Sequence, residues 1–386
     1  MFVRADPGWL LGLPWASACT GALGLGWVAQ ALLTRSRLRD LPGLPEAGSA
    51  PLPRVTLCIP ARDEEREVAA ALDSWLAQDV PDLRIVVVDD GSRDRTPELL
   101  AERAARHPER LRVLRNEHLP PGWLGKNHAL ALASAQPEAL AADWLLFADA
   151  DAQAAPDLLR RAFAFLERQP ADLFTLLPAL DTLTWGERVF LPFANLFFLW
   201  TVAPRRVADP RSRWCCGVGC FLLVRRGAYD AVGGHAGAPL AAVDDMLLAH
   251  RVKAAGYRNR VALGGPHLHL RMYHGWREAM QGLRKNLLGL PWAFPLAPAL
   301  VVLALLATLG WILPLLTGHP GVGLLLWLLM PPLAGEANQR YTGRGADLLW
   351  AFWPLGGLLV SAAIVLAAAD RIRGVNRWRG RVVRIR

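Results

Sequence analysis

The chain has 386 residues, of which 53% are hydrophobic, and a formal net charge of +9 at pH 7. Its mean hydropathy of +0.22 is high for a soluble enzyme. The sequence contains no motif that reads RNA or DNA, and its arginines flank apolar segments, so a membrane surface is favoured over nucleic acid as the partner of the basic charge. Five cysteines with irregular spacing argue against a disulfide framework.

The N-terminal region is predicted to be a membrane anchor over residues 1–39. Residues 9–33 are apolar and uncharged, which is long enough to cross a bilayer. The positive charges Arg35, Arg37 and Arg39 follow this stretch, whereas a cleavable signal peptide carries its charge in front. Positive residues stay in the cytoplasm, so the N-terminus is expected outside. Residues 40–53, rich in Pro, Gly and Ala, are predicted to be a linker.

Residues 54–265 alternate between strand and helix patterns and predict an α/β domain. The predicted strands are Val55–Ile59, Ile85–Asp89, Leu111–Arg115 and Trp144–Ala148. The predicted helices are Glu64–Gln78, Thr96–Arg106 and Lys126–Ala135. Such alternation implies right-handed crossovers and a largely parallel sheet, with binding sites at the carboxyl ends of the strands.

The C-terminal part predicts a return to the membrane. Residues 266–290 mix basic, aromatic and apolar side chains and predict an interfacial helix over 267–289. Residues 291–370 hold apolar stretches at 296–316, 321–335 and 347–369, and the tail 371–386 holds seven arginines. A cytoplasmic tail and a cytoplasmic α/β domain require an even number of spans. The short stretch 321–335, which ends at Pro331 and Pro332, is therefore predicted to be re-entrant or interfacial.

Two acidic motifs follow predicted strands. Asp89 and Asp90 precede Gly91 and Ser92, where carboxylates either bind a nucleoside or simply form a turn. Asp149 and Asp151 both lie directly after a predicted buried strand. Hard divalent cations such as Mg²⁺ and Mn²⁺ take such oxygen ligands and share them with substrate phosphates. An ion there would screen a diphosphate leaving group.

Asp244 and Asp245 are predicted at the start of a helix that reaches to about Gly256. One carboxylate is suited to capping the helix, and the other to acting as a general base for an acceptor hydroxyl. Their mutual repulsion raises one pKa towards a useful range. Asp63 is expected to cap the first helix of the domain, and Arg62 beside it either pairs with the diphosphate or is structural.

His267, His269 and His274 lie on the segment that leads towards the membrane. Their spacing is compatible with metal binding, but a hydrogen-bonding or interfacial role is the favoured interpretation.

The order of the motifs resembles the family 2 glycosyltransferases. The motifs are Ile-Pro-Ala-Arg-Asp-Glu, Val-Asp-Asp-Gly-Ser, Gly-Lys-Asn-His-Ala, Asp-Ala-Asp, Gly-Val-Gly and Asp-Asp, and they span residues 54–290. Pro-Gly-Trp-Leu-Gly-Lys-Asn at residues 121–127, Arg-Met-Tyr at 271–273 and Lys-Asn at 285–286 are similar to membrane glycosyltransferases of carotenoid and hopanoid pathways. The resemblance implies an α/β fold of the GT-A type with N-terminal and C-terminal transmembrane helices.

On the donor side, the resemblance implies roles residue by residue. The residues that match the nucleotide-sugar pocket are Pro60, Arg62, Glu64, Asp89, Asp90, Lys126 and Asp149. Among them, Asp89 and Asp90 match the positions that hold uracil and ribose, and Lys126 lies near the diphosphate. Asp149 and Asp151 match the metal motif.

On the acceptor side, Asp245 matches the catalytic base, and Asp244 stands where a Glu is often found. Gln281, Arg284 and Lys285 match the Gln-x-x-Arg-Trp motif of processive synthases, except that Lys285 replaces the Trp. This replacement argues against polymer synthesis.

The sequence therefore predicts a multi-pass membrane enzyme with a cytoplasmic catalytic domain. It would transfer a sugar with inversion from a nucleotide-diphospho-sugar, UDP-sugar being favoured, to a lipid or isoprenoid acceptor such as a carotenoid. Alternative acceptors are a polyprenyl phosphate or a growing polysaccharide. An inactive scaffold that binds sugar nucleotides is the alternative from another class. A transporter is disfavoured because the apolar stretches hold almost no polar residues.

Overall fold

The computed structural model describes residues 14–288, 310–316, 318–342, 352–378 and 381–384. The strands, numbered β1 to β10, are Val55–Ala61, Arg84–Asp89, Leu111–Arg115, Trp144–Phe147, Gln153–Ala154, Leu173–Leu180, Leu222–Arg225, Asn259–Leu270, Val375–Trp378 and Arg381–Arg384. The helices, numbered α1 to α14, are Pro14–Asp40, Val68–Leu76, Thr96–Arg106, Gly125–Ser134, Pro137–Leu140, Leu158–Arg168, Trp185–Thr201, Pro204–Ala208, Arg226–Ala231, Asp244–Ala254, Trp276–Leu288, Ile312–Leu316, Pro320–Thr342 and Trp353–Ile372.

Eight strands form one sheet in the order β3-β2-β1-β4-β7-β6-β8-β5. Strands β3, β2, β1 and β4 are parallel, as predicted. Strand β7 is antiparallel to both β4 and β6, and β5 is antiparallel to β8, whereas β6 and β8 are parallel. The sheet is therefore mixed, and the prediction of a continuous parallel arrangement holds only from β3 to β4. Because β7 runs against β4, Leu222 at the beginning of β7 pairs with Phe147 at the end of β4. The residues before β7 therefore meet the acidic motif that follows β4.

Apolar residues of the sheet pack against helices α2 and α6 to form the main core. Trp75 of α2 is fully buried, and its indole Nε1 donates a hydrogen bond of 2.9 Å to the carbonyl of Ala152. Buried tryptophan usually finds such a partner for its N–H. This contact ties the first helix of the domain to the loop that carries Asp149 and Asp151.

The predicted first helix, Glu64–Gln78, begins later than expected, at Val68. Asp63 does not cap it, and its φ of 53° lies in the left-handed region. The N–H of Asp63 donates to Ser92 Oγ, and the N–H of Glu64 donates to Thr96 Oγ1, at 3.0 and 2.8 Å. Side chains of the neighbouring loop thus hold the N–H groups of these two residues, and the chain turns at residues 65–67 before the helix begins.

The interfacial helix predicted over 267–289 is a strand up to Leu270, because β8 pairs with both β6 and β5 there. Helix α11 begins only at Trp276. Within the predicted linker 40–53, Gly43 bridges to Leu263 of β8, and Leu41 is buried. The linker therefore packs against the α/β domain.

Helix α14 is the one helix among the described residues that is long and apolar enough to cross a membrane. The predicted anchor coincides with α1 from residue 14 onward, while residues 9–13, most of the 296–316 stretch and part of the 347–369 stretch lie outside the described residues. Helix α13 is continuous from Pro320 to Thr342, so Pro331 and Pro332 do not end the helix, although its apolar part reaches only to Leu329. Within the tail, β9 and β10 form an antiparallel hairpin.

Candidate active site

The centre of the site is an ion pair between α4 and the loop after β4. Lys126 lies in the first turn of α4, and its Nζ is 2.7 Å from Asp149 Oδ1. The same Nζ lies 3.5 Å from Asp244 Oδ1, at the first residue of α10. Acidic residues are favoured at a helix N-terminus by the helix dipole, which helps to place Asp244 and Asp245 there. Three elements that are distant in the sequence thus bring opposite charges to one point.

Gly219 lies beside this point. A Cβ at Gly219 would stand 3.0 Å from Lys126 Nζ, 3.1 Å from Asp149 Oδ2 and 3.3 Å from Asp245 Oδ2. The predicted metal motif, the predicted diphosphate-binding lysine and the predicted base therefore converge on one glycine. Gly217, Val218 and Gly219 form the Gly-Val-Gly motif, whose role is not apparent from the sequence.

Gly217 allows the same loop to pack against the backbone of the acid pair. A Cβ at this position would stand 2.3 Å from the carbonyl oxygen of Asp245, which is closer than atoms can approach. The N–H of Gly217 also donates to the sulfur of Met246 at 3.3 Å. Only glycine fits here while the N-terminus of α10 keeps its present distance from β7.

Gly217→Ala is expected to push α10 away from Lys126. A displacement of about 1 Å at a reacting group costs roughly 100-fold in rate, so transfer should fall by that order. Thermal stability should fall as well, because overpacking costs about 1–3 kcal/mol. Gly227→Ala is the control, since a Cβ at Gly227 meets nothing within 4 Å. Equal activities in the two variants, measured beside their melting curves, would contradict the role given to Gly217.

Asn127 fixes the loop that leads to the acid pair. Its Nδ2 lies 3.1, 3.1 and 3.0 Å from the carbonyl oxygens of Ala238, Pro239 and Ala241. Asn127 is buried, and its neighbour Lys126 contacts Asp244. The first turn of α4 therefore fixes the loop at 238–241 through Asn127 and contacts the carboxylate of Asp244 through Lys126. Asn127 belongs to the Gly-Lys-Asn-His-Ala motif, but the carbonyl groups that it contacts cannot be predicted from the sequence.

Asp89 and Asp90 form a second, mostly buried polar cluster at the end of β2. Asp89 Oδ1 accepts the N–H of Ser92 at 2.9 Å, and its Oδ2 lies 3.2 Å from the guanidinium of Arg115. Asp90 Oδ1 accepts a hydrogen bond of 2.8 Å from Asn116 Nδ2. Burial raises the pKa of Asp90, although Asn116 opposes this shift. Asn116 was not identified from the sequence, because it carries no motif.

Arg62 joins β1 to this cluster. Its Nη1 donates to the carbonyl of Asp90 at 2.9 Å and lies 3.5 Å from Asp90 Oδ2. Pro60 is half-buried at the end of β1, and Glu64 is half-buried in the turn that follows. These residues border one loop cluster, as expected for a shared pocket. Their predicted roles in nucleotide binding stay predictions.

Among the acidic residues of the site, Asp245 has a pKa that suits a general base. Burial raises the pKa of Asp245 to about 6, and the neighbouring charge of Asp244 adds to the rise while Lys126 opposes it. The predicted repulsion between the two acids is thus present. Burial alone would lower the pKa of Lys126, but Asp149, Asp244 and Asp245 together raise it well above its usual value. Lys126 therefore stays protonated at the centre of the site.

The three residues of the predicted acceptor motif lie on α11 and have separate surroundings. Burial and the charge of Lys126 lower the pKa of Lys285, while Asp244 and Asp149 oppose the shift, so Lys285 is within reach of the acid cluster. Arg284 forms an ion pair with Asp370 near the end of α14. Gln281 is exposed. The motif therefore connects the site to the apolar helix.

The three histidines pair with three different carboxylates. His267 Nδ1 lies 3.4 Å from Asp157. His269 Nδ1 lies 2.8 Å from Asp181 Oδ2, and His274 Nε2 lies 3.1 Å from Glu67 Oε1. These contacts agree with the favoured hydrogen-bonding role.

Comparison with known proteins identifies a family domain within the chain. Residues 56–233 match the family model described as Glycosyl transferase family 2. A beta-monoglucosyldiacylglycerol synthase from Synechocystis is 34% identical over 236 residues, which is 58% of this chain and 46% of that protein. This chain thus matches less than half the length of that relative. A 4,4'-diaponeurosporenoate glycosyltransferase from Staphylococcus aureus is 25% identical over 341 residues, covering 85% of this chain and 87% of that one.

Among solved structures, the mannosyltransferase PcManGT from Pyrobaculum calidifontis, in complex with GDP-Man and Mn²⁺, superposes with a TM-score of 0.54. The identity is 21%, and the match covers 92% of this chain and 99% of that one. This likeness shows a mixed α/β fold of the GT-A type. Residues 56–233 form a glycosyl transferase family 2 domain, which confirms the resemblance seen in the motifs.

Proposed function

We propose that this protein transfers a sugar, with inversion, from a nucleotide-diphospho-sugar to a lipid-like acceptor. The observation that carries the proposal is the convergence of Lys126, Asp149 and Asp245 on Gly219. An ammonium group and two carboxylates near the ends of the strands suit a reaction in which a diphosphate leaves and a hydroxyl loses its proton.

The donor would lie across the two polar clusters. Arg62, Asp89 and Asp90, with Pro60 and Glu64 beside them, would hold the nucleoside, UDP being the favoured one. The charge of His128 on α4 acts on Asp90, so α4 connects this cluster with Lys126. The ammonium group of Lys126, paired with Asp149, would face the diphosphate. In this arrangement the sugar carbon reaches the acid pair at the beginning of α10.

The chemistry of the donor set fits a divalent cation, Mg²⁺ or Mn²⁺, at Asp149 and Asp151. Both residues lie in the loop after β4. Burial raises the pKa of the Cys220 thiol, and the nearby charges of Asp149 and Asp151 add to the rise. No group of three or more ligating side chains occurs among the described residues. Mg²⁺ commonly uses one or two carboxylates and takes further ligands from substrate phosphates. When bound, the ion would offset the charge of the diphosphate.

Asp245 would act as the general base. Its Oδ1 accepts the N–H of Met246 at 2.7 Å, while Oδ2 faces Gly219 and the site. The acceptor hydroxyl would give its proton to Asp245 as its oxygen bonds to the anomeric carbon. The bond from that carbon to the phosphate oxygen breaks on the opposite face, and the nucleoside diphosphate leaves. Lys126 would stabilise the charge that develops on it.

Lipid-like acceptors are supported by the names of the relatives, which refer to a diacylglycerol and to diaponeurosporenoate. The ion pair of Arg284 with Asp370 places the end of the apolar helix α14 beside α11, which also carries Lys285 and Gln281. An acceptor dissolved in the bilayer would approach along these helices. A polyprenyl phosphate stays an alternative, and a polysaccharide is disfavoured by Lys285 in place of Trp.

The test is incubation of membranes that contain the protein with a panel of radiolabelled sugar nucleotides, followed by lipid extraction. Radioactivity in the lipid fraction is expected with one nucleotide class and should be missing from membranes with the Asp245→Asn variant. Label in a water-soluble polymer would favour the polysaccharide alternative. Nucleotide binding without transfer to any fraction would favour the inactive scaffold.

The pH dependence of transfer should report the pKa of Asp245. A base must be ionised, so below a pKa of about 6 the rate falls about tenfold per pH unit, and above it the rate reaches a plateau. Lys126 opposes the raised pKa, so Lys126→Gln should move the acid limb to higher pH as well as lower the plateau. A profile that is flat between pH 5 and 8 in the unmodified protein would contradict the assignment.

We further propose an inner-membrane, multi-pass arrangement with the catalytic domain in the cytoplasm. Helix α14 supports an association with the membrane, and the arginines that flank the apolar segments favour a cytoplasmic catalytic domain. Reporter fusions after residue 40 and after Arg386 should both give cytoplasmic signals. An external signal at Arg386 would mean that the number of C-terminal spans is odd.

A further inference from the structure

A buried chain of polar side chains lies behind the acid pair. Ser134 Oγ and Tyr229 Oη are 2.9 Å apart, and Tyr229 Oη is 2.9 Å from His235 Nδ1. All three side chains belong to residues that are at most 5% exposed. The ring of His235 also packs edge-on against Phe147, at the end of β4, with 4.7 Å between ring centroids. None of these three polar residues is used in the reaction proposed above.

The carbonyl of Ala131 gives this chain a direction, because a carbonyl oxygen can only accept a hydrogen bond. Ser134 Oγ has one hydrogen, and it donates this to the carbonyl of Ala131 at 3.0 Å. Ser134 must therefore accept at its other contact, so Tyr229 donates its hydroxyl hydrogen to Ser134. The oxygen of Tyr229 then accepts from the backbone N–H of His235 at 3.1 Å and, in the same way, from Nδ1. Nδ1 of His235 carries the proton, and Nε2 of the neutral ring carries a lone pair.

This lone pair faces a carboxylate. Nε2 lies 3.8 Å from Asp244 Oδ2, which is too long for a direct hydrogen bond. The atom is buried, and it has no hydrogen-bond partner among the described residues. A cavity of about 10 Å³ is lined by both His235 and Asp244, which is close to the room that one water molecule needs. A water molecule offers two hydrogens, one for each of these acceptors.

We propose that His235 is a positioning residue for the acid pair, and that its Nε2 and the carboxylate of Asp244 together bind one buried water molecule that donates to both. Asp244 Oδ1 lies 3.5 Å from Lys126 Nζ, so the water would fix the other oxygen of the carboxylate that pairs with Lys126. The chain from Ser134 would thereby hold Asp244 in one orientation while Asp245 takes up the proton. This inference rests on the proposed function for its kinetic consequence, but not for the tautomer.

The surroundings favour the neutral ring that the scheme requires. Burial lowers the pKa of His235 to about 4, with Asp244 opposing and Lys126 adding to the shift. Arg251 is the further charged group close by, and its Nη1 donates to the carbonyl of Gly234 at 3.3 Å. An imidazolium would instead donate from Nε2 to Asp244, and the water would lose one of its acceptors.

The first test is ¹⁵N NMR of the full-length protein labelled in its histidines. The signals of His235 are those lost in the His235→Phe or His235→Gln variant. At pH 7, we expect a protonated Nδ1 and an unprotonated Nε2. A protonated Nε2, either in the other tautomer or in an imidazolium, overturns the inference. This readout does not require sugar transfer, so a failure of the proposed function leaves its result unaffected.

The second test compares two variants of His235 in the transfer assay. His235→Phe preserves the ring shape and removes the acceptor, so kcat should fall about 10- to 100-fold, the value of one hydrogen bond to a charged group, with little change in KM for the donor. His235→Gln places an oxygen near the position of Nε2 and should recover part of this loss. A purely structural ring would be replaced better by Phe than by Gln, and that order of activities overturns the inference.

Discussion

Asp245→Asn is expected to lower the rate of sugar transfer by three or more orders of magnitude and to leave binding of the sugar nucleotide intact. A general base contributes about 10²- to 10⁴-fold, and misplacement of the acceptor hydroxyl adds to the loss. Asp245 Oδ2 lies beside the Cβ position of Gly219, as do Asp149 Oδ2 and Lys126 Nζ. Asn keeps the shape of the side chain but cannot take up the proton.

Asp244→Asn is the matched variant, because it changes the adjacent acid in the same turn. Asp244 contacts Lys126 and faces His235, so it acts on the site through other residues, and its loss should cost less. Both variants need two measurements: nucleotide affinity by titration and transfer by extraction of labelled lipid. An inactive Asp244→Asn beside an active Asp245→Asn would reverse the two roles. Near-normal transfer in both would place the base elsewhere.

The local parts of this fold follow from the sequence because their causes are local. Strand Leu111–Arg115 and helix Thr96–Arg106 have the predicted bounds, and β4 ends at the acidic motif as expected. Apolar period and turn residues within each segment are sufficient for such predictions. The helix expected from Glu64 begins later because a distant loop shapes this segment: Asp63 takes a left-handed conformation, and Ser92 and Thr96 accept the N–H groups of Asp63 and Glu64.

The parts of the site that could not be predicted depend on contacts between distant segments. Strand β7 is antiparallel to β4, and only this pairing brings Gly217 and Gly219 to the acidic residues. Nothing in the sequence indicates the partners of Asn127 and His235, because these depend on the packing of the loop at 238–241 against α4. Titratable residues can be identified as candidates from the sequence, whereas the residues that position them can be identified only once their contacts are known.

Asp151→Ala is expected to abolish divalent-cation-dependent transfer while the protein still folds. Asp151 and Asp149 are the proposed ligands, and a cation at a diphosphate supplies several kcal/mol of charge stabilisation, on the order of 10³-fold or more in rate. Lys126 would remain as a positive charge at the leaving group, but it is already paired with Asp149.

The measurement is transfer as a function of Mg²⁺ or Mn²⁺ concentration, before and after removal of metal by a chelator. Asp79→Ala is the control, because Asp79 forms an exposed ion pair with Arg160 away from the site. The control should regain full activity as metal is restored, whereas Asp151→Ala should stay inactive at every concentration. Because the proposed nucleoside pocket of Arg62, Asp89 and Asp90 does not include the ion ligands, binding of the nucleoside part should weaken only moderately in Asp151→Ala. Full transfer by the unmodified protein in excess chelator would remove the ion from the mechanism and leave Lys126 as the main counter-charge to the diphosphate.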